Sequence, residues 1–379
     1  MPTISVSSAR TVLKQKRRYI ILAPMIVCVS AVVMRHGTLP NIAPPELLTL
    51  SKKIAKIKSR QTYYAWQTNY SFLKFENYPR PSIERIDIRA GTETSLPGLQ
   101  RQFGKSRMYP RFVISPDGKK ALWEEADHGL GFRSTSLESS APISDTLLSD
   151  KFWASASNPI WMPDRKRWIQ LFASGKGISA VVFEDGTTKA VQEIDIGKPK
   201  DTSSGNDLMR THLLGVTQNG QVQATLEGAD GYRNEQNSRH IEFFAFSLDS
   251  THPNVREYTI TLPKGEDGYE NNGALAHTEE VQLSPRGDQL AWLVHRQIEF
   301  PVQRWFSQWL PGKVVTSRLF TELRITDLNG RSGRTVGTIA FKKSNQPGSD
   351  ERPFGMHWLQ DGQHISFIFN GSLRVVPTD

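Results

Sequence analysis

The chain has 379 residues, of which 37% are hydrophobic and 22% charged, a balance typical of a globular protein and not of a disordered one. Its net charge of +9 comes from one end, because residues 1–60 hold 11 basic side chains and a single acidic one, Glu46. The remaining residues hold 36 basic and 37 acidic side chains, which excludes the broad basic face that nucleic-acid binding requires. The only cysteine, Cys28, lies in the N-terminal apolar run, so the rest of the chain has neither a disulfide nor a thiol site.

The N-terminus has the pattern of a membrane anchor. A basic segment, residues 1–18, precedes an uncharged and mostly apolar run from Tyr19 to Met34. The length of this run lies between that of a signal-peptide core and that of a spanning helix. We predict an uncleaved transmembrane signal anchor over residues 19–36, with the basic segment in the cytoplasm and the bulk of the chain outside. Cleavage after Ala31, which would release a soluble exported protein, is the alternative.

Residues 37–60 connect the anchor to the rest of the chain. The Pro-rich stretch 37–45 is typical of a short stiff linker. From Glu46 to Arg60, apolar residues recur at spacings of three and four, while most lysines fall on other faces. This pattern predicts a basic amphipathic helix, which either rests on anionic lipid or packs against the domain that follows.

A turn followed by an apolar strand recurs along the rest of the chain. It occurs at Ser115-Pro116-Asp117-Gly118, at Ser284-Pro285-Arg286-Gly287 and, in looser form, around Asp164, Asn219 and Asp361-Gly362. Pro presets the second position of such a turn, and Gly takes the left-handed position that closes a bulged hairpin. Four strands with short turns need about 40 to 45 residues. Every interval between successive turn centres exceeds this length, and the intervals grow toward the C-terminus, so we expect long loops in the later units.

Short strand-like segments fill the intervals between the turns. They lie at residues 63–66, 83–88, 178–183, 241–246, 255–262 and 323–328. Five turn-marked units and an opening unit at residues 61–100 predict an all-β fold, a six-bladed β-propeller over residues 61–379. The strand-like C-terminal segment, residues 372–376, is placed to pair with residues near the start and so close the ring.

The two strongest repeats, Ser-Pro-Asp-Gly-x-x-Ala-Leu-Trp and Ser-Pro-Arg-Gly-x-x-Leu-Ala-Trp, resemble the WD40-like repeats of the TolB-type six-bladed propellers. The resemblance covers residues 61–379. It implies an exported bacterial protein that binds partners through a face of the propeller. Together with the anchor, it predicts a single-pass protein of the inner membrane whose propeller lies on the periplasmic side.

The sequence offers no catalytic motif. It lacks the Gly-x-Ser-x-Gly of hydrolases, the His-Glu-x-x-His of zinc peptidases, paired cysteines and a Gly-rich phosphate loop. We therefore predict no catalytic residue and no cofactor. Glu266, Asp267 and Glu270 stand between glycines and are the best candidate ligands for calcium, but their spacing is not that of an EF-hand, which favours a solvated loop.

An aromatic insertion is the best candidate for a partner contact. Between residues 297 and 313 the chain places Phe300, Trp305, Phe306 and Trp309 in a segment between strands. These side chains either form a platform for a partner or pack over their own blade. We expect a membrane-tethered, non-catalytic propeller that binds an envelope protein, peptide or glycan. A propeller hydrolase or lyase, with ionisable groups clustered at the central channel, is the alternative.

Overall fold

The computed structural model describes sixteen stretches of the chain, and every statement below refers to them. They are residues 46–57, 62–76, 82–103, 112–125, 131–139, 142–147, 152–155, 157–174, 177–187, 190–197, 211–226, 240–249, 253–261, 281–299, 317–340 and 353–379. The predicted anchor at residues 19–36 and the linker at residues 37–45 lie outside them. Within these stretches, no helix combines the length and apolar character needed to cross a membrane.

The strands form six antiparallel sheets in chain order. The chain enters through helix α1 (Leu47–Leu50) and strand β1 (Lys52–Lys56). Blade 1 comprises β2 (Thr62–Trp66), β3 (Ser71–Glu76), β4 (Ser82–Asp87) and β5 (Thr92–Ser95), and helix α2 (Pro97–Phe103) follows it. Blade 2 comprises β6 (Phe112–Ile114), β7 (Lys120–Glu125), β8 (Gly131–Ser136) and β9 (Pro142–Leu147). Blade 3 comprises β10 (Phe152–Ser155), β11 (Ile160–Trp161), β12 (Arg167–Ser174), β13 (Gly177–Glu184) and β14 (Ala190–Gly197).

The second half of the chain completes the ring. Blade 4 comprises β15 (Thr211–Val216), β16 (Gln221–Leu226), β17 (His240–Ser247) and β18 (Arg256–Thr261). Blade 5 comprises β19 (Val281–Leu283), β20 (Gln289–Glu299), β21 (Ser317–Asp327) and β22 (Gly333–Ala340). Blade 6 takes β23 (Phe354–Trp358), β24 (His364–Phe369) and β25 (Ser372–Pro377) from the end of the chain and β1 from its start. The fold is therefore an all-β, six-bladed propeller, as the turn repeat predicted.

The ring closes through a strand pair between the two ends of the described chain. β1 runs antiparallel to β25, with Lys52 opposite Val375 and Lys56 opposite Ser372. Just past β1, the Ile57 N–H donates to the Gly371 carbonyl at 2.8 Å. The last blade thus gains its outer strand from residues before the first blade, which covers an edge that three strands would leave open.

This pairing corrects the amphipathic helix predicted from Glu46 to Arg60. Within residues 46–57, the described part of this stretch, the helix is limited to Leu47–Leu50, and Lys52–Lys56 is a strand of the propeller itself. The spacing of the apolar residues was compatible with a helix, but a partner strand near the opposite end of the chain supplies the backbone hydrogen bonds instead. Such a distant partner leaves no trace in the local pattern, and tertiary pairing overrides local propensity.

The core consists of six apolar clusters, one at each interface between neighbouring blades. The period of two in each strand sends alternate side chains to opposite neighbours. In β20, for example, Ala291 and Leu293 pack against blade 6, whereas Trp292 and Val294 pack against blade 4. Every blade is consequently a wedge that is apolar on both faces.

The turns between the first and second strands of the blades contact one another around the ring. The Gln67 side-chain amide donates to the Gly118 carbonyl at 3.0 Å, which joins blades 1 and 2. The Gln360 amide donates to the Gln67 carbonyl at 2.7 Å, which joins blades 6 and 1. The Gln218 N–H donates to the Gly287 carbonyl at 3.3 Å, which joins blades 4 and 5. The repeated turn is therefore also a contact between blades.

This contact predicts that two glycines with the same backbone conformation differ in their tolerance of alanine. Gly118 (φ +71°) and Gly220 (φ +79°) both occupy the left-handed region. A Cβ at Gly118 would collide with the Gln67 backbone carbonyl, whereas one at Gly220 has no atom within 4 Å. We expect Gly220→Ala to cost about 1 kcal/mol through its backbone conformation, and Gly118→Ala about 1–3 kcal/mol more. Equal losses in denaturant titrations of the two variants would contradict the inter-blade role of this glycine.

The closing segment provides a second matched pair. Leu47 is fully buried in the cluster between blades 5 and 6, whereas Leu50 is 42% exposed. Leu47→Ala should lower the free energy of unfolding by about 2–5 kcal/mol, and Leu50→Ala by about 0.5 kcal/mol or less. Similar losses for the two variants would contradict the packing of Leu47, and not Leu50, between blades 5 and 6.

Candidate functional site

The sequence-predicted turn residues lie at the first hairpin of their blades. They are Ser115, Pro116, Asp117 and Gly118 between β6 and β7, Ser284, Pro285 and Gly287 between β19 and β20, and Asp361 and Gly362 between β23 and β24. The Ser115 hydroxyl donates to Asp117 at 2.6 Å and accepts from the Lys120 N–H at 2.9 Å. Burial alone would raise the pKa of Asp117, but hydrogen bonds from Ser115 and from the Lys119 N–H lower it. The hydroxyl of Ser115 and the carboxylate of Asp117 therefore form their hydrogen bonds within the turn.

The other sequence candidates fall outside the described residues. They are the proposed partner contacts Phe300, Trp305, Phe306 and Trp309 and the calcium candidates Glu266, Asp267 and Glu270. The hairpin that flanks the aromatic segment is described, and its two strands, β20 and β21, pair along their full length. The aromatic segment therefore joins the end of this hairpin that is opposite to the Ser284 turn. Across the part of the chain that the structure describes, no three His, Cys, Asp or Glu side chains come together as a metal site.

A cavity of about 340 Å³ opens between blades 4 and 5. We call it the arginine cleft, and its principal lining residues are Ile260, Trp292, Val294, Arg324, Arg331 and Arg334. The strand register explains its composition, because Trp292 of β20 lies opposite Arg324 of β21 on the face that is turned toward blade 4. Apolar side chains of β20 and polar side chains of β21 therefore line the same wall of the cleft.

The floor of the arginine cleft is apolar and fixed. Trp292, Val294 and Ile260 are 2%, 1% and 6% exposed. The Trp292 indole N–H donates to the Thr326 hydroxyl at 2.8 Å, and its ring meets Phe243 edge-on at 5.8 Å. A hydrogen bond at one edge and an aromatic contact at another leave the indole a single orientation.

The aromatic packing continues into blade 4. Phe243 stacks on Tyr258 with ring centroids 5.1 Å apart, and the Arg256 guanidinium lies over the Tyr258 ring at 5.5 Å. Burial raises the pKa of Tyr258 to about 12, against the opposing effect of its hydrogen bond to Gln223. The phenol therefore stays a neutral donor at physiological pH, and the interface is held by packing rather than by charge.

The rim of the cleft carries positive charge. Arg324 pairs with the buried carboxylate of Glu322 at 2.7 Å. Arg331 and Arg334 are exposed and make no ion pair with another described residue. Asp327, the nearby acid of the same turn, accepts hydrogen bonds from the Arg331 N–H and from Ser332. The strand register places Arg334 opposite Ile325, on the face of blade 5 that is turned toward blade 6. Among the described residues, the cleft therefore presents one exposed arginine without an ion pair, Arg331, beside an apolar floor.

Sequence reasoning missed this site, because three arginines around an Asn-Gly turn have the appearance of an ordinary solvated turn. Its signal was the density of basic residues from Arg324 to Arg334 in a propeller whose charges otherwise balance. The sequence does not show that Trp292 and Ile260 line the same cleft as these arginines, because this depends on the packing of two blades.

No protein-family model matches this chain, and no curated protein sequence matches it. Solved structures with a similar backbone path include TolB from Acinetobacter baumannii, with 10% identity and a TM-score of 0.40 over 88% of this chain and 66% of TolB. A protein of unknown function from Bacteroides thetaiotaomicron has 10% identity and a TM-score of 0.47 over 86% and 72%. The Cps50 (Swd1) β-propeller domain of Myceliophteria thermophila has 8% identity and a TM-score of 0.45 over 87% and 100%.

The chain thus spans just under two thirds of the length of TolB. At identities of 10% or less these similarities concern the fold alone. The assignment of six blades rests on the sheet topology.

A buried polar cluster lies at the seam between blades 6 and 1. The Ser366 hydroxyl accepts a hydrogen bond from the Trp66 indole at 2.8 Å and donates to the His357 carbonyl at 3.2 Å. The Tyr64 hydroxyl donates to the Gly355 carbonyl at 2.5 Å. His357 contributes its backbone, and its imidazole meets the Tyr64 ring edge-on at 5.1 Å. The cluster therefore ties the two end blades together and does not arrange a base beside a nucleophile.

The seam predicts a loss of stability in acid. Burial lowers the pKa of His357 to about 4 from 6.5, so the folded state excludes a proton that the unfolded chain binds. The free energy of unfolding is therefore unaffected by this histidine above pH 6.5. It falls by up to about 3 kcal/mol as the pH falls toward 4. In His357→Gln this part of the pH dependence should disappear, as measured by urea unfolding at pH 7 and pH 4.5. An unchanged slope in the variant would contradict the prediction.

Proposed function

We propose that this protein is a non-catalytic, membrane-tethered β-propeller that binds an envelope partner through the arginine cleft. The observation that carries the proposal is the cleft between blades 4 and 5, where Arg324 and the exposed Arg331 border the buried side chains of Ile260, Trp292 and Val294. Buried apolar surface with a few charged groups at its rim is the usual composition of a binding pocket.

The chemistry of the cleft favours binding over catalysis. An arginine guanidinium stays protonated at physiological pH and supplies donors but no base. Asp117, Asp164 and Asp327 each have a lowered pKa because hydrogen bonds within their turns oppose the effect of burial. Turn geometry accounts for these shifts, and they do not mark a reaction centre.

The N-terminal sequence supports the tether and the export of the propeller. A basic block precedes the apolar run, a pattern that favours a propeller outside the cytoplasm. Only residues 37–45 separate the proposed anchor from Glu46, so the propeller lies within about 35 Å of the bilayer. Lys52, Lys53 and Lys56 are exposed on β1, close to this attachment, where anionic headgroups attract basic side chains. Cleavage after Ala31 would give a soluble, TolB-like periplasmic form with the same cleft.

The aromatic segment supplies a second proposed contact for the same partner. Phe300, Trp305, Phe306 and Trp309 follow β20, the strand whose Trp292 forms the floor of the cleft. Clustered aromatic side chains are typical of the central anchors of protein interfaces. Glu299, the last described residue before this segment, lies seven positions, or about 23 Å, beyond Trp292 along β20, so we propose that a partner seated on blade 5 is extended enough to contact both.

The proposed function predicts a site-specific crosslink in intact cells. A photoreactive amino acid would replace Asn329, an exposed residue of the turn beside Arg331, in the full-length protein. On irradiation we expect a discrete adduct that sediments with the membrane fraction, because both the tether and the partner hold the complex there. Detection uses immunoblotting and mass spectrometry.

Two further positions complete this experiment. Glu184 lies before the corresponding turn of blade 3 and is also exposed, so it controls for random collision. Trp305 reports on the aromatic segment. Equal labelling at Asn329 and Glu184, or no adduct at Asn329 and Trp305, would overturn the proposal. An adduct recovered only from the soluble periplasmic fraction would favour the cleaved form.

A further inference from the structure

We infer that the outer edge of blade 6 lies against an anionic phospholipid surface. We call this surface the basic edge, and it comprises Lys52, Lys53 and Lys56 of β1. The inference rests on the proposed membrane tether and specifies how the propeller sits on the bilayer, which is on its circumference with blade 6 toward the lipid. It follows from the charge of the outer strands, the register of β1 and the place where the chain enters the ring.

The outer two strands of each blade form the circumference of the ring, and those of blade 6 are the most basic. β25 and β1 carry four basic side chains and no acidic one. The corresponding strands of blade 3, β13 and β14, carry three acidic side chains and no basic one. Blade 3 is three blades away from blade 6 in either direction, so the two lie on opposite sides of the ring. An anionic surface attracts the side of blade 6 and repels that of blade 3.

The register of β1 places its lysines on both faces of blade 6. Lys52 lies opposite Val375, on the face turned toward blade 1. Lys53 lies opposite Arg374, on the face turned toward blade 5, and Lys56 shares that face. All three lysines are exposed, and none forms an ion pair with a described residue. A plane that approaches a sheet at its edge meets side chains from both faces, so a flat bilayer contacts the three ammonium groups together.

The outer side of β1 limits the depth of this contact. β1 is the last strand of its sheet, and within the described part of the chain no strand pairs with its outer side. Peptide groups without a strand partner need water or headgroups, because the hydrocarbon offers no hydrogen bonds. The basic edge therefore rests among the headgroups, where anionic lipids attract lysines. Lysines on an edge strand also discourage pairing with other chains, but that role is independent of lipid composition.

The chain enters the ring beside the basic edge. The Arg374 guanidinium donates to the Leu48 carbonyl at 3.4 Å and to the Ser51 hydroxyl at 3.1 Å, which fixes α1 next to β1. Residues 37–45 connect this segment to the proposed anchor and span at most about 35 Å. A tether this short keeps the edge at a high local concentration near the bilayer, so the attraction of three lysines is enough for docking.

A fluorescent reporter on each side of the ring tests the inference in the full-length protein, reconstituted into vesicles. Cys28→Ser removes the only cysteine, and Leu50→Cys or Val191→Cys then provides one site for an environment-sensitive fluorophore. Leu50 precedes β1 and is 42% exposed, whereas Val191 lies on β14 of blade 3 and is 50% exposed. In vesicles of equal parts phosphatidylcholine and phosphatidylglycerol, nitroxide-labelled lipid should quench the fluorophore strongly at position 50 and weakly at position 191.

Removal of the lysine charges should release the basic edge. Lys52→Gln, Lys53→Gln and Lys56→Gln together should lower the ratio of docked to undocked protein at least about tenfold, since each lysine near an anionic surface contributes about fivefold. Vesicles of phosphatidylcholine alone, or salt at about 1 M, should have the same effect on the unaltered lysines. Arginine at the same three positions keeps the charge and should leave the ratio within about twofold.

A charge-matched control separates the basic edge from the net charge of the protein. Lys119→Gln, Arg165→Gln and Lys166→Gln remove three exposed basic side chains from the first turns of blades 2 and 3. This variant should keep the ratio of docked to undocked protein within about twofold, because these turns lie away from blade 6. Thermal unfolding should be unchanged in both triple variants, since all six side chains are exposed.

The outcomes distinguish this inference from the proposed tether. Equal quenching at positions 50 and 191, quenching that is indifferent to phosphatidylglycerol, or equal docking of the two triple variants would overturn the basic edge. A lysine variant that docks normally but self-associates would do the same and would assign the lysines to edge protection. Protein that resists an alkaline wash of the vesicles in any of these cases retains its tether. Protein that the wash releases refutes the tether, and the inference fails with it.

Discussion

The antiparallel pairing of β1 with β25 is the constraint on which the rest of the structure depends. It joins the two ends of the described chain and gives blade 6 its outer strand. Closure also brings blades 6 and 1 together, so the Tyr64–Gly355 and Trp66–Ser366 hydrogen bonds form at the seam. A propeller has no single central core, and each wedge is held only by its two neighbours. Opening one seam would therefore expose apolar faces on both sides of the gap.

The arginine cleft arises from the same wedge geometry. At each of the other five interfaces the described residues include a cluster of buried apolar side chains. Between blades 4 and 5, the β21 positions opposite Leu290 and Trp292 are Thr326 and Arg324, which are too polar to complete the packing. Ile260, Trp292 and Val294 belong both to the apolar cluster of this interface and to the lining of the cleft. The proposed site thus depends on polar side chains at a few positions of one strand, within the same fold.

The sequence predicted the propeller because its signals are local. Ser115–Gly118 and Ser284–Gly287 mark hairpins by turn chemistry alone, and their spacing predicted the number of blades. The helix predicted over Glu46–Arg60 was wrong for the opposite reason, because Lys52–Lys56 forms a strand only with a partner at the other end of the chain. The cleft was missed for a related reason. The cleft beside Arg324 and Arg331 forms only when Ile260, a residue of the preceding blade, packs next to Trp292.

The closing segment also brings the proposed tether close to the proposed site. Glu46, where the described chain begins, forms a parallel bridge with Thr338 of β22, and Leu47 is buried between blades 5 and 6. Arg334 lies on the same strand, four positions before Thr338, or about 13 Å away along the strand. A chain that enters beside β22 from a membrane anchor would therefore hold blade 5 toward the bilayer. A partner at the arginine cleft would then bind close to the membrane surface, within the reach of a short linker.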